Sequence, residues 1–160
     1  MSDPIEILER RLRAVLDKKA TTRGLHFFCQ LGGYDDELGI VTLQLSGSGN
    51  LLLSWRRGPD DVDLWNLKFN DEDYYQFVRL FMTYPFWSAS PARRSRRGEE
   101  MNVHLRVSAH DIGTHQGLQF WSDDLDAFPV LRDLLLPLLK LMQAISRDEL
   151  TDADLDRIFQ

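Results

Sequence analysis

LLLSWRRGPDDVDLWNLKF, residues 51–69, decides the fold. Leu51, Leu53 and Trp55 alternate with Leu52, Ser54 and Arg56, Gly58-Pro59-Asp60 turns the chain, and Trp65, Leu67 and Phe69 return on the same beat. Successive side chains of a strand point to opposite faces, so this is a hairpin with one apolar side. Pairing Leu51 with Leu67 also pairs Leu53 with Trp65. Just upstream, Val41, Leu43 and Leu45 precede the loop Ser46-Gly47-Ser48-Gly49-Asn50. Pairing Leu45 with Leu51 then brings Leu43 to Leu53 and Val41 to Trp55. A one-residue slip would turn each of these side chains to the other face, so the agreement specifies an antiparallel meander.

Working outward, Leu25, Phe27, Cys29 and Leu31 alternate with His26, Phe28 and Gln30 and supply another strand before a turn at residues 32–36. After the quoted hairpin, Asn70 or Asp71 starts a helix with an apolar stripe of Tyr74, Phe77, Val78 and Phe81. Pro85 stops it, and Phe86-Trp87 plug the edge of the core. The same unit recurs from Met101 to Trp121, leading into a helix over Ser122–Ile145 that Pro137 is expected to kink. In this second hairpin the turn near Asp111-Ile112-Gly113 is read as placing Leu105 opposite Phe120, His104 opposite Trp121, Arg106 opposite Gln119 and His110 opposite His115. Two terminal helices frame the rest. Asp3 caps the first, with Pro4 at its first position and Ile5, Leu8, Leu12 and Val15 on one stripe. Thr151 and Asp154 form a capping box for the last.

The reading is therefore an α+β fold: an antiparallel sheet of a meander of about four strands plus a second hairpin, packed by α-helices. It predicts one domain over 1–160, with an N-terminal helix at 3–19, a core at 24–145 and a short C-terminal helix at 151–159. A chain of 160 residues suits one such unit.

Composition bounds the function. Nineteen basic against twenty-five acidic residues give a net charge of −6, which argues against a general nucleic-acid binder. The single cysteine, Cys29, excludes an internal disulfide and points to a reducing compartment. Leu134 to Met142, the greasiest run, is broken by Pro137 and Lys140 and is too short to span a bilayer. A cytoplasmic protein of bacterial style is expected, with no membrane partner.

Three surfaces are candidates. The outer face of the second hairpin gathers His104, Arg106, Gln119 and Trp121, residue types that combine contact area with hydrogen bonding at protein interfaces. The terminal helix offers Leu155, Ile158 and Phe159, which can dock in a groove of another chain or pair two copies of this one. Arg93, Arg94, Arg96 and Arg97 make a basic loop suited to phosphate or an acidic patch. Catalytic and metal sites find no support. Cys29 faces inward, the acidic runs sit at turns and helix starts where capping explains them, and His104 lies roughly 20 Å along the strand from His110. No cofactor is called for. The expectation is a non-enzymatic, protein-binding domain (an adaptor, regulatory subunit or immunity-type inhibitor) with a basic protein or a second copy as partner. An anion or nucleic-acid binder using the arginine loop comes next, and an enzyme of unrecognised type after it.

Overall fold

The computed structural model describes residues 3–33 and 35–159; Tyr34, which the sequence assigns to a turn, lies outside them. Helix α1 (Pro4–Leu16) is followed by strands β1 (Leu25–Gly32), β2 (Ile40–Ser46), β3 (Asn50–Gly58) and β4 (Asp61–Lys68). Helix α2 (Asp71–Thr83) leads through a 3₁₀ turn at Phe86–Ser88 to β5 (Asn102–Ala109) and β6 (Thr114–Trp121). Helix α3 (Pro129–Ile145) and the short α4 (Asp152–Asp156) close the order. The six strands form one antiparallel sheet ordered β4-β3-β2-β1-β5-β6. The second hairpin thus pairs β5 with β1, and the α+β class read from the alternation holds.

The meander has the register that the leucines dictate: Leu45 faces Leu51, Leu43 faces Leu53, Val41 faces Trp55, and Leu53 faces Trp65. The second hairpin differs. Leu105 faces Leu118, His104 faces Gln119, Arg106 faces Gly117 and Asn102 faces Trp121. The physical cause is the turn. His110–Ile112 form a 3₁₀ turn that Gly113 ends at φ +64°, so the strands close on Ala109 and Thr114. The slip is two residues, and every side chain keeps its face.

The helices pack on the face that carries Phe27, against which Phe77 and Phe81 lie with ring centroids 5.2 and 5.1 Å away. Leu8, Leu12 and Val15 of α1 and Leu131, Leu134, Leu135, Leu138 and Met142 of α3 are buried in the same cluster. Helix α3 starts at Pro129, later than the periodicity implies, because a residue before proline is driven out of helical geometry; Ser122–Asp126 form a separate 3₁₀ turn. It then runs on through Pro137. Asp3, Asn70 and Thr151 cap their helices through side-chain oxygens as read from the sequence.

Gly39 is a tight point. Its φ is +83°, and a Cβ there would stand 2.1 Å from the Arg56 carbonyl oxygen. Gly39→Ala is expected to cost about 1–3 kcal/mol from backbone strain alone, read from urea denaturation. Gly58→Ala, where a Cβ meets nothing within 4 Å, should stay within about 0.5 kcal/mol of wild type.

Candidate functional site

Among the described residues no helix packs on the sheet face opposite Phe27. On it Phe28 sits between Gln44 and Arg106, and Gln30 sits between Thr42 and His104. The rows continue to Leu52 on β3, to Ser54 and Leu64 on β3 and β4, and to Gln119 on β6. Arg106, Gln119 and Leu64 are exposed, and His26, Phe28, Leu52 and His104 are half-buried. His104, Arg106 and Gln119 therefore share one open surface, as alternation requires. His26 and Phe28 belong to it too, and the sequence signal for them was the same alternation along β1.

Two aromatic contacts order this face. The His104 ring meets Phe28 edge-on at 5.1 Å, and His26 and His110 lie 6.2 Å apart. The Nε2 of His26 is 3.2 Å from Gln44 Oε1. Burial lowers the His26 and His104 pKa values below the ordinary imidazole range, and the Arg106 guanidinium adds to the effect in both.

Trp121 occupies the corner of the face. Its indole N–H donates to the Arg94 carbonyl oxygen at 3.0 Å, so it pins the loop over residues 89–98. Two arginines of the basic cluster meet carboxylates. Arg94 grips Glu100, with one N–H···O distance of 2.7 Å, and reaches Asp124 at 3.1 Å; Arg96 meets Asp36 at 3.0 Å. Arg93 and Arg97 are exposed and make no ion pair among the described residues. Beside the loop is a cleft of about 620 Å³ lined by six carboxylate residues and three arginines, a balance that repels rather than collects phosphate.

The terminal segment is docked. Leu150, Leu155 and Ile158 are buried in the core, Phe159 is half-buried under Arg132 at 5.0 Å, and Gln143 donates to Asp152 at 2.8 Å. In this arrangement Leu155 and Ile158 offer no surface, and the structure does not bring them near His104 or Arg106. Cys29 is buried, and desolvation pushes its thiol up to about 12, which favours the protonated form at neutral pH. No helix among the described residues is long and apolar enough to cross a membrane. Compared with protein-family models and with curated proteins, the chain matches none, so its function is argued from this geometry.

Two tests address the corner. Glu100 is held below its usual value of 4.5, chiefly by the Arg94 hydrogen bond. A depressed carboxylate contributes stability that is present above pH 4.5 and lost as pH falls through its folded value. Glu100→Gln should therefore unfold at a lower temperature at pH 7 and show a flatter loss below pH 4.5, measured by calorimetry across pH. Trp121→Ala removes the donor to Arg94, and trypsin should cut at Arg93 to Arg97 faster while the far-ultraviolet circular dichroism stays unchanged.

Proposed function

We propose that the protein is a non-enzymatic binding domain, acting as an adaptor, regulatory subunit or inhibitor, whose partner is another protein seated on the open sheet face. One observation carries this reading. A six-stranded sheet keeps its helices on one side and presents Phe28, Leu52 and Leu64 outward among His104, Arg106 and Gln119. Apolar area interleaved with hydrogen-bonding side chains is the make-up of an interface core. The net charge of −6 steers a basic partner at long range and discourages self-association. A reducing compartment such as the cytoplasm fits the lone buried thiol. The arginine loop supports an anion site less well, because Arg94 and Arg96 already face carboxylates.

Capture from a host extract with mass-spectrometric identification tests the proposal. The wild type and Leu136→Asp, a change on the exposed side of α3, should retain the same protein. Gln119→Arg and Leu64→Asp should each weaken its binding about tenfold or more, with melting temperatures unchanged. Full-strength capture by both face variants would remove the face as the dock.

A further inference from the structure

The seam between β1 and β5 carries chemistry that a docking surface does not need. On the open face Ser108 lies between His26 on β1 and His115 on β6, and Arg106 lies opposite Gly117. A serine among longer side chains sits in a hollow of about 240 Å³, walled by His26, Phe28, His104, Arg106 and His110, with Ser108 in its lining. These walls are alternate residues of the two strands, so the hollow runs along them as a groove. Ser108 is 1% exposed, and its hydroxyl has no hydrogen-bond partner among the described residues. A buried hydroxyl left unpaired is unfavourable unless something else supplies the partner.

We propose that this groove binds a phosphoryl group carried on a flat apolar body, with the phosphoryl oxygens at the Ser108 end between Arg106, His26 and His110. The Arg106 guanidinium fork, an imidazole N–H of His110 and the unpaired Ser108 hydroxyl can donate there, and His26, whose Nε2 is engaged by Gln44, joins them on taking up a proton. No carboxylate lines the groove. At the other end the Phe28 and His104 rings form an aromatic wall. A metal cation fits worse. Arg106 repels it, His26 Nε2 already meets Gln44, and among the described residues no three His, Cys, Asp or Glu side chains are gathered to share an ion. The charged and titratable groups facing His26 are Arg106 and His110, while Asp111 beyond them is held by Arg11 at 2.6 Å. A dianion in the groove offsets that positive field and raises the His26 midpoint.

The test is NMR of the imidazole carbon-bound protons of the full chain, titrated with phenyl phosphate at fixed ionic strength. The His26 and His110 signals should move and saturate, and the His26 midpoint should rise at saturation. Arg106→Ala should weaken binding about tenfold or more. Ser108→Ala should also weaken it while melting no lower than wild type, because the lost hydroxyl had no partner. Inorganic phosphate should move the same signals more weakly. A preference for a phosphotyrosine peptide over phenyl phosphate, or the reverse, supports the assignment and tells whether a polypeptide or a small molecule carries the group, whereas a preference for a phosphoserine peptide over both would overturn the flat apolar body. Shifts that never saturate, an unchanged response in Arg106→Ala, or tighter binding of acetate or zinc ion would each overturn it. The readout uses the protein alone, so it succeeds or fails apart from partner capture; Gln119 and Leu64 line no part of the groove.

Discussion

Alternation along the strands forces the sheet to have one greasy side. Leu25, Phe27, Cys29 and Leu31 are buried on β1, and His26, Phe28 and Gln30 between them are half-solvated. The neighbouring strands repeat the division in register, so the helices can bury their stripes on one side only. The open face, the buried thiol and the groove at Ser108 all follow. The division also leaves a risk at the sheet edge. On β4, Leu64 is 61% and Leu67 47% exposed, and an uncovered edge strand invites pairing with another chain. The bulge after Arg56 and the Arg57 ion pairs to Asp61 and Asp63 twist and charge that edge, which blunts it.

At one end of the sheet the constraint is electrostatic. Glu100 is buried, so its charge needs partners, and it has Arg94 and the Arg97 backbone N–H. Asp124 shares Arg94 and also accepts from the Trp121 backbone N–H. Next to them the Met101 N–H donates to Ser122 Oγ. A segment that looks like a free basic loop is thus tied to the start of β5 and the end of β6. Arg94 and Arg96 stabilise a junction, and their charge is met there by Glu100, Asp124 and Asp36. Among the described residues Arg93 and Arg97 on the loop, like Arg106 on the open face, make no ion pair.

How far the residues announce this structure depends on the range of the interaction. The meander was legible because period-two patterning and short loops fix register locally, as Leu45–Leu51 and Leu53–Trp65 show. The second hairpin came out two residues off because nothing local separates a tight turn at residues 111–113 from a 3₁₀ turn capped by Gly113. The open face was half legible. His104, Arg106 and Gln119 were found from β5 and β6, but the pairing of β5 with β1 that adds His26 and Phe28 is a long-range choice. Of the partners of Arg94 and Arg96, Asp124 and Asp36 lie 30 and 60 residues away, too far for spacing to reveal, and only Glu100 is near in sequence. Ser108 is a stronger case. Its isolation depends on what three strands leave around it.

The docked C-terminal segment decides which surface is cheap to use. Leu150, Leu155 and Ile158 are buried, and releasing them would expose apolar area worth about 1.5–3 kcal/mol per side chain. The capping box at Thr151 and the Gln143 contact to Asp152 would be disturbed as well. A partner that pulled this helix away, or a dimer built by exchanging it, would first have to offset that loss. A partner on the sheet face meets Phe28, Leu52 and Leu64 already part-way in water, and it covers them without undoing a contact. For equal area buried, a partner seated on the face would therefore be held more tightly than one that displaced the tail, and the physical preference runs to the side of the sheet opposite the helices.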